Sequence, residues 1–125
     1  MWEAYLPHAH IYAIDIDPAC SACGSDRTRV FIGSQEDRDF LRSVIAEIGA
    51  PLDVIIDDGG HRMRQHRVSL EELFPRLADG GIYALEDLHT AYETSYGGGY
   101  LSEESTVEFL KALIDQVNGG QALVR

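Results

Sequence analysis

The stretch Val54-Ile55-Ile56-Asp57-Asp58-Gly59-Gly60-His61 decides how the rest of the chain is read. Three β-branched residues in succession form the short apolar run expected of a strand buried on both faces, and the acid pair and glycine pair that follow end it abruptly. Upstream, Phe40, Leu41, Val44, Ile45 and Ile48 recur at helical spacing, with Asp37 and Asp39 near the start and Gly49-Ala50-Pro51 at the stop. Downstream, Leu70, Leu73, Phe74 and Leu77 mark another helix face, for which Asp79-Gly80-Gly81 is the expected C-terminal turn. Ile82-Tyr83-Ala84-Leu85 then reads as a further strand.

The same alternation continues outward in both directions. Ile11 to Ile16 is an apolar run stopped by Asp17-Pro18, and Thr28 to Ile32 is one stopped by Gly33-Ser34. A last helix is predicted with Ser102 as N-cap, Glu103 and Glu104 in its first turn, Val107, Leu110, Leu113, Ile114 and Val117 inside, and Gly119-Gly120 at its end. Strands that alternate with helices, each strand apolar throughout, point to an α/β fold: a mostly parallel sheet with helices on both faces.

A chain of 125 residues with 45% hydrophobic and 25% charged residues fits a single globular domain, residues 1–125. A domain of this size buries about two-thirds of the surface of its unfolded chain, so association into a homo-oligomer would help it. The formal charge of −11, from 21 acidic and 10 basic residues, opposes binding to nucleic acid or to an anionic membrane surface. Arg62, Arg64 and Arg67, close to His61 and His66, leave a local anion site open. Cys20 and Cys23 form a lone Cys-x-x-Cys, too few thiols for a four-sulfur zinc site, and read as free thiols. No apolar run reaches the roughly 20 residues of a membrane span and Met1-Trp2-Glu3 is unlike the basic start of a signal peptide, so a cytoplasmic location is expected.

In parallel α/β sheets ligands bind beyond the carboxyl ends of the strands. Those positions are acidic here: Asp15 and Asp17 after the first strand, Glu36 and Asp37 after the second, Asp57 and Asp58 after the third, Glu86 and Asp87 after the fourth. A strand-end carboxylate such as Asp15 can accept both hydrogens of a ribose diol, although a solvated loop acid or a cap looks the same in sequence. Asp58, Glu86 and Asp87 offer the hard oxygen ligands that a divalent cation such as Mg2+ prefers. Such an ion lowers the pKa of a hydroxyl placed on it, and His61, three residues beyond Asp58, is positioned to take the proton as general base.

Other readings of these residues stay open. Asp57-Asp58 alone would also suit a Walker B type acid pair or a pair of caps, but no Gly-x-x-x-x-Gly-Lys-Ser/Thr phosphate loop occurs in the sequence. His66 reads as a surface residue of the helix after the third strand. His89 reads equally as a site residue or as a loop histidine bound to backbone. Tyr92 to Tyr100, with Gly97-Gly98-Gly99, reads as a mobile loop over substrate or as a simple connection.

Four stretches together resemble a known family: Ile11 to Asp17, Phe31 to Gln35, Ile55 to His61, and Leu85-Glu86-Asp87-Leu88-His89-Thr90. In order and spacing they are similar to the macrocin and mycinamicin O-methyltransferases, class I enzymes dependent on S-adenosylmethionine (SAM) and magnesium that methylate a sugar hydroxyl in macrolide biosynthesis. The resemblance implies a partial Rossmann-like methyltransferase fold and a small hydroxylated acceptor borne on a natural product. It also implies that Asp58, Glu86 and Asp87 hold the metal, His61 is the base, Asp15 holds the SAM ribose, Ser34 and Gln35 lie near the adenine, and Asp57 lies beside the methyl donor. The family's first strand and glycine-rich loop are expected ahead of Met1 and its last strands beyond Arg125, which makes a domain truncated at both ends the expectation. A metal-dependent hydrolase and a non-catalytic remnant of a methyltransferase are the competing readings.

Overall fold

The computed structural model describes residues 1–119. Short helix α1 (Trp2–Tyr5) leads into β1 (Ile11–Asp15), β2 (Thr28–Ile32), α2 (Arg38–Ile48), β3 (Leu52–Asp57), α3 (Met63–Leu73), β4 (Leu77–Leu85) and α4 (Thr106–Asn118). Short 3-10 helices connect several of them, at Pro18–Cys23, Phe74–Arg76, Leu88–Tyr92 and Thr94–Tyr96. The α/β class and the parallel strands are as the sequence predicts.

The strands form two parallel pairs, β1 with β2 from Ile11↔Thr28 to Asp15↔Ile32, and β3 with β4 from Val54↔Ile82 to Asp57↔Leu85. Among the described residues no ladder joins β1 to β3. The two pairs nevertheless finish side by side, because Gln35, just past β2, donates from Nε2 to Asp57 Oδ1 at the end of β3, at 2.9 Å. All four carboxyl ends thus lie on one edge.

Local chemistry accounts for the elements. Asp37 caps α2 by accepting from the N–H groups of Asp39 (3.0 Å) and Phe40 (3.1 Å), and Gly49 closes the helix at φ 66°, a conformation glycine adopts without penalty. α2 buries Leu41 and Val44, and its outer edge is tied to α3 by Arg38 with Glu72 at 2.7 Å and Arg42 with Glu72 at 2.9 Å. These two guanidinium groups hold the Glu72 carboxyl below its usual range. At the other end of the chain, Arg27 donates to the carbonyls of Glu3, Leu6 and Ala9, which clamps α1 and the following turn onto the start of β2. On β3, Ile55 and Asp57 face inward, while Val54 and Ile56, with Ile82 beside them on β4, face outward and are exposed.

Three sequence expectations are corrected here. Asp79-Gly80-Gly81 is not the end of a helix: α3 stops at Leu73, and these residues lie inside β4, where they bulge out between the pairs Leu52↔Leu77 and Val54↔Ile82. Pro75 explains the early stop, since it lacks the N–H that would continue the α-helical ladder and the chain passes into the 3-10 turn Phe74–Arg76; Leu77 then belongs to the strand. The last helix begins at Thr106 with Ser105 as N-cap, which places Ser102, Glu103 and Glu104 ahead of it. The predicted stop at Gly119 is its C-cap, whereas Gly120 lies outside the described residues. Finally, His66 is fully buried on α3 instead of exposed.

Tyr92 to Tyr100 contains no long regular element, but it is not featureless. Its backbone closes on itself through Gly97 N–H to Thr94 O, Gly98 N–H to Glu93 O and Gly99 N–H to Ala91 O. No helix of the described residues is long and apolar enough to cross a membrane.

Candidate active site at the carboxyl ends of β3 and β4

The turn after β3 and the turn after β4 face each other. One ligand atom each from Asp58, His61 and Asp87 falls within 4.8 Å of the others. His61 Nε2 stands 3.9 Å from Asp58 Oδ1 and 3.8 Å from Asp87 Oδ2, too far for hydrogen bonds but close enough for one small cation or one substrate hydroxyl to lie among the three. Both carboxylates are half exposed, whereas the His61 ring is only 19% exposed. Glu86 is exposed beside this group and is not part of it; its N–H is bound to Asp57 O at 3.0 Å. His89 lies on the outer side of Asp87, with Nδ1 3.7 Å from Asp87 Oδ1, and is exposed.

The backbone that presents these groups is strained. His61 (φ 54°) and Asp87 (φ 51°) both occupy the left-handed region, which costs a residue with a Cβ roughly 1–2 kcal/mol. Thr90 holds the two conformations together: its hydroxyl lies 3.1 Å from the His61 carbonyl and 2.9 Å from that of Asp87. Both turns are thereby fixed by one buried side chain.

Below them Asp57 is an anchor. It is buried, and it accepts from Gln35 Nε2 on one oxygen and from the Tyr83 hydroxyl (3.0 Å) on the other. Burial first, and the Asp57 charge second, drive the Tyr83 pKa far upward, so Tyr83 remains a donor. The Gln35 amide also donates to Ser69 Oγ at 3.0 Å and accepts from Gly60 N–H at 2.8 Å, which links β2, β3, α3 and the glycine turn. Space is tight here: a Cβ at Gly59 would stand 2.0 Å from Oε1 of the braced Gln35 amide, whereas one at Gly60 would stand 2.3 Å from Oε1 at the end of the Gln65 side chain.

The ends of β1 and β2 are more open. Asp15 Oδ1 accepts from Asp17 N–H at 2.8 Å, and this bond, with the Cys20 thiol second, lowers the Asp15 pKa. Both cysteines are free, and Asp15 reciprocally raises the Cys20 thiol to about 11, so Cys20 is protonated at neutral pH. Ser34 Oγ accepts from Glu36 N–H at 3.3 Å. Of the arginines near His61, Arg67 lies over the Phe109 ring and 3.8 Å from Glu71.

Structure therefore brings together Asp58, His61 and Asp87, and pairs Gln35 with Asp57. Thr90, Tyr83, Ser69 and His66 were not legible as site residues in the sequence. For His66 a signal existed: Met63, His66 and Leu70 share helical spacing, and all three are buried.

Known proteins give a consistent picture. No protein-family model matches the chain. It is 37% identical over 121 residues to the 8-demethyl-8-(2-methoxy-alpha-L-rhamnosyl)-tetracenomycin-C 3'-O-methyltransferase of Streptomyces olivaceus, covering 94% of this chain and 30% of that protein. It is also 37% identical over 120 residues to the mycinamicin VI 2''-O-methyltransferase of Micromonospora griseorubida, with the same coverage. The demethylmacrocin O-methyltransferase of Streptomyces fradiae is 34% identical over 120 residues. Among solved structures, MycE methyltransferase from the mycinamycin biosynthetic pathway, in complex with Mg and SAH, superposes with a TM-score of 0.87 at 34% identity, covering 99% of this chain and 32% of that one. The complex of the same enzyme with Mg, SAH and mycinamycin VI gives 0.88. The chain is thus homologous, over nearly its whole length, to the macrocin- and mycinamicin-type sugar O-methyltransferases, and it spans about 30% of the length of these relatives.

Proposed function

We propose that this chain provides the metal-and-base part of a SAM-dependent O-methyltransferase that acts on a sugar or polyol hydroxyl of a natural product in the cytoplasm. The observation that carries the proposal is the convergence of Asp58, His61 and Asp87 at one strand-end corner, in a chain whose relatives are sugar O-methyltransferases. Two carboxylates with a third, Glu86, adjoining them are a hard oxygen donor set suited to Mg2+. Asp58, Glu86 and Asp87 are the proposed holders of the ion, which when bound would orient the acceptor hydroxyl and lower its pKa.

The protein's own groups do the rest. His61 Nε2, which faces the gap between Asp58 and Asp87, accepts the hydroxyl proton as the oxygen attacks the methyl group of the sulfonium. Thr90 keeps the His61 and Asp87 turns in register, so the base and the carboxylates approach the same atom. Asp15, half-exposed at the end of β1, is the proposed acceptor for the ribose hydroxyls, with Ser34 and Gln35 near the adenine and Asp57 on the donor side. The low exposure of the His61 ring keeps the base partly shielded from bulk water.

Calorimetric titration of the chain with SAM, in the presence and absence of Mg2+, tests this reading. Tight SAM binding is expected. Metal binding without SAM binding would support instead a metal-dependent hydrolase in which His61 activates water, and binding of neither would identify a non-catalytic homologue.

A further inference from the structure

Behind His61 lies a buried polar chain that the proposed chemistry leaves unused. His66 is completely enclosed, and its Nδ1 is 3.2 Å from Oγ1 of Thr106, the first residue of α4. The Thr106 hydroxyl donates to Met63 Sδ at 3.2 Å, and the Thr106 N–H points to the same sulfur at 3.2 Å. With its hydrogen directed to sulfur, the Thr106 oxygen is left to accept. The His66 ring is held neutral by burial, which lowers its pKa, and a neutral imidazole has a single N–H. With that hydrogen on Nδ1, donated to the Thr106 oxygen, His66 Nε2 is a bare lone pair; with it on Nε2, the Thr106 hydroxyl would instead donate to Nδ1, and the tautomer read by NMR distinguishes the two.

Among the described residues His66 Nε2 has no partner, and neither has the buried Nδ1 of His61. The two rings meet edge to face, 5.9 Å between centroids at 71°. Buried polar atoms without partners are rare enough that each needs a reason. Here two of them belong to adjacent rings, one an acceptor and the other free to be a donor.

We propose that His66 is a positioning residue for His61: its Nε2 lone pair accepts the His61 Nδ1 hydrogen through one bridging water, and so leaves His61 Nε2 bare where it faces Asp58 and Asp87. The proposal rests on the reading of His61 as the general base. Which nitrogen of a neutral imidazole is basic is set by the hydrogen bond that the other one makes. Without His66, the two carboxylates 3.8 and 3.9 Å from His61 Nε2 would draw the ring hydrogen to that nitrogen. The base would then carry a hydrogen on the atom that has to accept one.

Long-range 1H–15N correlation NMR of the 15N-histidine-labelled chain in the presence of Mg2+ reads both tautomers without reference to activity. Both His66 and His61 are expected with hydrogen on Nδ1. In His66→Phe, which keeps the packed ring and removes the acceptor, the His61 hydrogen is expected to move to Nε2; in His66→Gln, whose amide oxygen can accept, it is expected to return to Nδ1. In methyl transfer, His66→Phe should lower kcat by about 10–100-fold, leave KM within about twofold, and be partly rescued by Gln. If the wild-type spectrum shows His66 with hydrogen on Nε2, or if the His61 tautomer is the same in His66→Phe, the proposal is overturned; the wild-type spectrum alone suffices should the variants fail to fold. A tautomer shift in a chain that transfers no methyl group upholds the histidine pairing and removes only the transferase reading.

Discussion

The two strand pairs end alike in sequence and differently in structure. β1 closes on Asp15, held by a local bond from Asp17 N–H and by the Cys20 thiol, in an open turn. β3 closes on Asp57, buried and gripped by Gln35 and Tyr83, and the next residues reach the other turn through Thr90 and pack against the buried ring of His66. The first end is free to adapt to a ligand. The second is preorganised, with two non-glycine residues fixed in left-handed backbone, the form expected where chemistry needs fixed geometry.

If that contrast is functional, substitutions at the preorganised end carry the largest effects. Asp58→Asn removes one of the two carboxylates that face His61, and methyl transfer is expected to fall on the order of 10³-fold with SAM affinity nearly unchanged. Single-turnover rates paired with SAM titrations check it, and retained turnover would remove Asp58 from the site. His61→Ala should cost on the order of 10²-fold or more in kcat while metal binding persists, as measured by the same rates and by Mg2+ calorimetry. Loss of metal binding as well would make His61 a ligand.

Packing comes next. Gly59→Ala places a methyl group 2.0 Å from Gln35 Oε1, and the amide cannot simply swing away because Asp57, Ser69 and Gly60 all hold it. A loss of about 2 kcal/mol in denaturant unfolding is expected, and a neutral result would show that the Gln35 brace is dispensable. The smallest effect belongs to the open end. Asp15→Asn should leave stability nearly unchanged but bring the Cys20 thiol down from about 11, since its chief perturber is gone. The pH at which a thiol reagent begins to react with Cys20 should move downward accordingly.

How much of this was legible in the sequence follows from what each residue depends on. Strands β1 to β3, helix α2 with its Gly49 stop, and the acidic strand ends follow from local pattern and short-range chemistry, but the expected burial of β3 on both faces fails, since Val54 and Ile56 are exposed. The end of α3 was misplaced because apolar spacing runs on through Leu77, while the deciding residue, Pro75, acts on backbone rather than on hydrophobicity. The start of α4 was misplaced because Ser102 and Ser105 are equivalent as caps in sequence; Ser105 is set in place by donating to Ala91 O across the fold. The metal-and-base corner was legible as residue types, but its support was not. The pairs Tyr83 with Asp57, Thr90 with His61 and His66 with Thr106 are separated by 26, 29 and 40 residues, and no local pattern encodes such pairs.

The central claim is that Asp58 and Asp87 form one divalent-cation site at the ends of β3 and β4. Titration of the chain with Mn2+, followed by electron paramagnetic resonance, tests it most directly. The account predicts one bound ion per chain, displaced by Mg2+ and lost in both Asp58→Asn and Asp87→Asn, with Asp15→Asn binding as the wild type does. Equal Mn2+ binding by the wild type and by the Asp58 and Asp87 variants would contradict it.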